Sequence, residues 1–291
     1  MANARELLKR KKSIQSTGKI TRTMELVASA KLKKAQEAAA ASAPYASGLG
    51  ELLNRLAAAV GEDYTHPLMR SGGEAGHVAV LILTSDRGLC GAFNANLVRA
   101  ALKRIRHHRE QGRTVHIVAL ARKAATTLRF FQERVDEAHR GLVEKPSFEN
   151  AAGILEPLMD GFRGGSYDAV DVVYSHFHSM ARQAPEALTL LPAGGVEADR
   201  EDAAAQQDYL FHPDPRQLLD SLVPMAVRTR FYSCLLQTAA GEHAARRMAM
   251  KNATDAAKDL VKAINSKYNR ARQGKITQEI AEIVGAVEAM S

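Results

Sequence analysis

Residues 84–94, TSDRGLCGAFN, set Asp86, Arg87 and Cys90 beside Gly88 and Gly91 directly after an apolar run. Three chemistries could use such a segment. Backbone N–H groups of a glycine turn could cradle phosphate, a cysteine thiolate could attack an electrophile, or a charged turn could be offered to a partner. The spacing speaks against the first, because G-x-x-G fits neither the P-loop nor the dinucleotide fingerprint, and a tight strand-to-helix turn is the simpler account. A nucleophile needs a base, and no histidine is tied to Cys90 by any sequence signature. Asp86 and Arg87 on a turn would face outward, suited to an ion-pair contact or to a local Asx-turn.

Other candidates are weaker. GKIT occurs at 18–21 and again at 274–277, but Ser13 and Asn269 stand where the first glycine of a P-loop would be, and both copies lie inside helical patterns. Each instead offers a lysine beside an isoleucine able to pack. His176 and His178 are two apart on an expected strand and share a face, a possible metal pair that lacks a third ligand of matching spacing. His107 and His108 fall in a basic helix and read as solvated. Cys90 and Cys234 make neither a disulfide framework nor a metal set. No catalytic residue, cofactor or metal is expected.

These residues need elements to position them. No proline precedes Pro44 and none follows Pro224, so both ends of the 291-residue chain can be long helices. Residues 225–291 would extend about 100 Å if wholly helical, more than a small domain spans, so such a helix must find a partner along its length. Ala257, Val261, Ile264, Tyr268, Ala271, Ile276, Ile280, Ile283 and Val287 recur at steps near three and four, as in the seam of a helix pair. Leu7, Ile14, Thr17, Met24, Ala28 and Ala35 give the N-terminal segment a narrower stripe of mostly small residues. Asp214 as N-cap with Pro215 in the first turn marks the start of the second long helix.

Between the two ends, HVAVLILTS (77–85), TVHIVAL (114–120), YDAVDVVYSHF (167–177) and EALTLLP (186–192) read as strands alternating with three helical patterns. That alternation argues a mostly parallel α/β sheet. Polar glycine-bearing connectors at 61–76 and 193–203 bound it, giving segments 1–60, 61–204 and 205–291. The simplest packing is an antiparallel pair of terminal helices rising from a globular base.

Charge narrows the partner. Residues 1–36 carry ten basic side chains against two acidic, and residues 246–275 nine against two. Basic helices can neutralise nucleic-acid phosphates, but these lack interleaved aromatics and any known DNA-reading module. They also lack the broad apolar face of a membrane-surface helix, and no apolar run reaches the roughly 18 residues that span a bilayer. An acidic protein partner explains them better. The opening MANARELLKRKK has charge but no following apolar stretch, so no secretory signal is expected.

Taken together, KITRTMELVASAKLKKAQ (19–36), TSDRGLCGAFN (84–94), EHAARRMAMKNATDAAKDL (242–260) and YNRARQGKITQEIAEIVGA (268–286) resemble the gamma subunits of F-type ATP synthases, in order and along the whole chain. The resemblance implies an α+β or α/β fold, in which a long antiparallel coiled coil of the terminal helices joins a central Rossmann-like domain. It implies a non-catalytic central rotor of the F1 sector. Its partners would be the ring of three alpha and three beta subunits, the epsilon subunit and the membrane c-ring, without nucleic acid and with membrane association only through the complex. Residue matching carries rotor–stator contacts onto Lys19, Met24, Arg246, Gln273, Thr277 and Glu279, and onto Asp86, Arg87 and Cys90 of the turn. The family has one arginine before its Met and Ala-Met-Lys, where this chain has Arg246 and Arg247; alignment favours Arg246 and leaves Arg247 open to sharing the role. Without a chloroplast-type cysteine segment or a transit peptide, the implied member is bacterial, peripheral on the cytoplasmic side of the inner membrane. Two alternatives stand beside this: a basic coiled-coil protein that binds nucleic acid, and an α/β enzyme that uses a nucleotide at Gly88–Gly91.

Overall fold

Ten elements follow one another in the computed structural model, which describes residues 4–60, 66–70, 73, 76–193, 212 and 214–288. They are α1 (Ala4–Val60), β1 (His77–Ile82), α2 (Phe93–Glu110), β2 (Thr114–Ala119), α3 (Arg122–Phe130), β3 (Glu137–Ala138), α4 (Phe148–Arg163), β4 (Ala169–Phe177), β5 (Gln183–Leu191) and α5 (Pro215–Glu288). Most of the two expected connectors lies outside the described residues.

The strands form one mixed sheet in the order β3-β2-β1-β4-β5. β1 pairs in parallel with β2 and β4, β2 with β3, and only the edge strand β5 runs antiparallel, beside β4. Central strands covered on both faces are largely apolar, which is why β1 reads as HVAVLI and β4 opens AVDVVY with one buried aspartate. Successive residues nonetheless alternate between two cores. Ala79, Leu81, Val170 and Val172 face α4, the end of α1 and the start of α5, through Leu155, Phe162, Leu56 and Phe231. Val78, Val80, Ile82 and Val173 face α2 and α3, through Leu97, Ala101, Ile105 and Leu128. The two-residue β3 was not foreseen. Its sequence is polar, and it is held by backbone bonds such as Asp136 N to Ile117 O and His139 N to Ala119 O.

Helix starts obey local chemistry. The Ser147 hydroxyl accepts the Asn150 N–H at the start of α4, and the Asp214 carboxylate accepts the Arg216 N–H at 3.0 Å at the start of α5, as the Asp-Pro pair predicts. Helix α1 continues through Pro44 and α5 through Pro224.

The chain divides into two compact units, residues 29–245 and residues 1–28 with 246–291. The divisions fall within α1 and α5. In the smaller unit, Gly18 approaches Ala257 so closely that an added Cβ would lie 3.3 Å from its methyl group, and the Thr21 and Thr254 hydroxyls meet at 2.8 Å. The two helical segments therefore run in opposite directions. Thr17 corrects the expected N-terminal stripe: it is exposed, and its hydroxyl donates back to Ser13 O. The buried face passes instead through Gly18, Thr21, Glu25 and Ala28, whose glycine, hydroxyl and carboxylate do not register in an apolar count. On α5 the seam is buried or half-buried at Ala257, Val261, Ile264, Tyr268 and Ala271, then exposed at Ile276, Ile280, Ile283 and Val287. Equal rise along both helices brings Ala4, the first described residue of α1, opposite Ala271. Later residues of the seam have no described α1 residue across from them.

Candidate functional site

The 84–94 turn leaves the carboxyl end of β1 with β2 on one side and β4 on the other, the position where open parallel sheets bind ligands beside a helix N-terminus. Its residues fill that position themselves. The first N–H groups of α3 point at this turn: Arg122 N donates to Asp86 Oδ1 at 2.8 Å, Lys123 N to Ser85 O at 3.3 Å and Ala124 N to Thr84 Oγ1 at 2.9 Å. These are the orphan donors that would otherwise receive an anion. Helix α5 also closes on this end of the sheet. At Gly241 an added Cβ would meet Ser175 Oγ at 2.7 Å and the Phe93 ring at 3.3 Å, while Thr238 Oγ1 accepts the Ser175 N–H at 3.2 Å.

Two expectations for the turn are corrected. Asp86 does not present its charge outward, because Oδ1 is held by Arg122 N and Oδ2 by Gly141 N, both at 2.8 Å. Cys90 is only 2% exposed, packed in the core beneath α2, with its sulfur 3.2 Å from Asn94 Nδ2 and 3.7 Å from Ser85 Oγ. A partner cannot reach that sulfur without opening the turn. What the turn shows to solvent is Arg87, paired with Glu144 at 3.1 Å, and Leu89, 61% exposed in the left-handed region at φ 66°. Leu89 was missed because its sequence neighbours suggest a glycine, not a leucine, for that conformation.

The other sequence-selected residues all belong to the smaller unit. Lys19, Gln273, Thr277 and Glu279 are exposed, whereas Met24, Arg246 and Arg247 are half-buried. Glu279 pairs with Lys275 at 3.2 Å, and Thr277 Oγ1 donates to Gln273 O. The isoleucines of both GKIT copies, expected to pack, are exposed: Ile20 by 60% and Ile276 by 43%. With Ile280, Ile283, Val284 and Val287 they leave apolar side chains uncovered.

The histidines divide unexpectedly. His108, expected to be solvated, is buried, and its Nε2 lies 2.6 Å from Asp171 Oδ2. Arg104 Nε reaches the same oxygen at 2.6 Å and the Thr189 hydroxyl donates to Oδ1 at 2.8 Å. Burial pushes the Asp171 carboxyl up, but the bonds from His108, Arg104 and Thr189 outweigh it and hold it below the usual carboxylate range. This network ties α2 to β4 and β5. His176 and His178 do share a face, their ring centroids 4.3 Å apart, and both lie within 3.8 Å of Glu186. No group of three among the described residues could hold a metal ion.

A family model described as ATP synthase matches residues 3–290. Among curated relatives, the ATP synthase gamma chain of Gemmatimonas aurantiaca is 41% identical over 290 residues, covering 100% of this chain and 99% of that one. That of Leptospira biflexa is 38% identical over 291 residues, covering both chains completely. The chain belongs to the ATP synthase gamma chain family. Among solved structures, a chain of the Euglena gracilis mitochondrial ATP synthase (OSCP/F1/c-ring) aligns with a TM-score of 0.65 at 20% identity, covering 99% of this chain and 94% of the other. A chain of the Tetrahymena thermophila central stalk and c-ring aligns at 0.60 and 23% identity, covering 80% and 99%. These likenesses concern the fold. Membership of the ATP synthase gamma chain family spans both compact units, and nothing in it favours a nucleic-acid-binding coiled coil. No helix among the described residues is long and apolar enough to cross a membrane.

Proposed function

We propose that this chain is the central rotor subunit of the F1 sector of a bacterial ATP synthase. The full-length family match carries the proposal, since it joins the sheet-bearing unit and the paired terminal helices in one shared order. The terminal helices act as an antiparallel coiled-coil shaft, and the sheet, within residues 61–204, acts as a Rossmann-like base. Proton flow turns the c-ring, and the shaft turns with it inside the ring of alpha and beta subunits. Each beta site is thereby driven through states of different nucleotide affinity, a conformational bias that couples rotation to catalysis.

This chain contributes no catalytic group. The capped start of α3 and the closed approach at Gly241 support that reading, because they leave the switch-point position to the protein's own atoms. Contacts with the beta subunits fall to Lys19, Met24, Arg246, Arg247, Gln273, Thr277 and Glu279, with Arg87 on the turn; the epsilon subunit and c-ring meet the base. The complex holds the chain peripherally on the cytoplasmic face of the inner membrane. Isolation of the tagged chain from its own cells tests the assignment. Alpha, beta and epsilon subunits are expected in stoichiometric complex with it; a chain recovered without them, and bound to DNA in a salt-dependent manner, contradicts it.

A further inference from the structure

Within the sheet-bearing unit, the end of α1, the early part of α5 and the end of β5 enclose a cavity of about 200 Å³. Leu53, Met69, Leu190, Val223 and Val227 make its walls apolar, and Arg230 and Asn54 are its polar lining. The two arginines in this part of α5 differ. Arg228 is held by both oxygens of Glu156, Oε1 at 2.8 Å and Oε2 at 2.9 Å. Arg230 is half-buried and has no hydrogen-bond or ion-pair partner among the described residues, nor has Asn54. Burial pushes the nearby Cys234 thiol up to about 12 while the Arg230 charge opposes it, so the guanidinium acts on the interior and not only on solvent.

A half-buried cation without an ion-pair partner among the described residues, beside an amide and an apolar hollow, matches one ligand chemistry: a carboxylate on a short alkyl chain. The carboxylate would be held by the fork of Arg230 and the amide of Asn54, and the chain would replace water against leucine, valine and methionine side chains. The volume lies below the roughly 300 Å³ at which drug-sized ligands are held, which excludes a nucleotide. We propose that this cavity is a binding site for medium-chain carboxylates. None of its lining residues is among those assigned to contacts with other subunits.

Calorimetry and methyl NMR on the purified full chain with octanoate test this. One saturable site is expected, with shifts at the methyl groups of Met69, Val223 and Val227. Hexanoate should bind about tenfold more weakly, given the apolar surface of two fewer methylenes. Octanol, which lacks the charge, should lose at least tenfold, and Arg230→Gln should lose as much for octanoate with an unchanged unfolding curve. Ala226→Leu fills the hollow and should abolish binding while leaving Arg230 in place. Non-saturable uptake, equal affinity for octanol, or full affinity in Arg230→Gln overturns the proposal.

Discussion

His108 and Asp171 are joined across the buried side of α2, Nε2 to Oδ2 at 2.6 Å, with the Asp171 side chain wholly screened from solvent. The carboxylate stays ionised because three donors converge on it. Its folded pKa is lowered relative to an unfolded value of about 3.9, so its contribution is present above that value and is lost as pH falls through the folded one. Urea unfolding of the chain should therefore show stability dropping below about pH 4, and Asp171→Asn should remove much of that slope. Because the substitution leaves Arg104 facing a neutral amide in the interior, it should also cost about 3 kcal/mol or more at pH 7. A variant with wild-type stability and an unchanged acid slope contradicts this.

Asp86 should prove a structural residue rather than a contact residue. Asp86→Ala strips acceptors from Arg122 N and Gly141 N, at a cost of about 2 kcal/mol if each bond is worth about 1. Asp86→Asn keeps one carbonyl acceptor and should lose less. Thermal melts of the isolated chain measure the difference. A direct partner contact would give the opposite pattern, with normal stability and impaired assembly.

Gly241→Ala should strain the contact between α5 and β4. The added methyl meets Ser175 Oγ at 2.7 Å and the Phe93 ring at 3.3 Å, an overpacking of about 1–3 kcal/mol. Pairing it with Ser175→Gly should recover part of the loss, a coupling that a double-mutant cycle detects. Additive losses would show that the two positions do not touch.

Lys19→Glu with Arg246→Glu should reduce coupled ATP synthesis in the assembled enzyme without altering the melting of the sheet-bearing unit, since Lys19 is exposed and both lie in residues 1–28 and 246–291. Synthesis at the wild-type rate in a normally assembled complex removes these residues from the proposed contact.

How much of this could be read in advance follows from what each segment buries. The central strands β1 and β4 were legible because both of their faces are covered, which leaves apolar runs with few alternatives. β3 was not, since two polar residues pair through backbone atoms alone. The helix-pair register was hidden at Gly18 and Thr21, where contact is made by the absence of a side chain and by a hydroxyl pair. His107 and His108 looked alike, yet His108 continues the stripe of Leu97, Ala101 and Ile105 at helical spacing, and Asp171 interrupts an otherwise apolar strand. Those two irregularities were a usable sign of a buried pair. The burial of Cys90 had no such sign, because a turn sequence does not say which of its side chains points inward.

The rotor assignment is tested most directly by watching the chain turn. Cys90 and Cys234 are both buried, so a cysteine introduced at Phe130, which is 80% exposed, would carry a probe site-specifically. With the alpha and beta subunits of the assembled F1 complex fixed to a surface and ATP supplied, the probe is predicted to rotate in one direction, pausing three times per turn. A probe that stays still while the same complexes hydrolyse ATP would contradict the account.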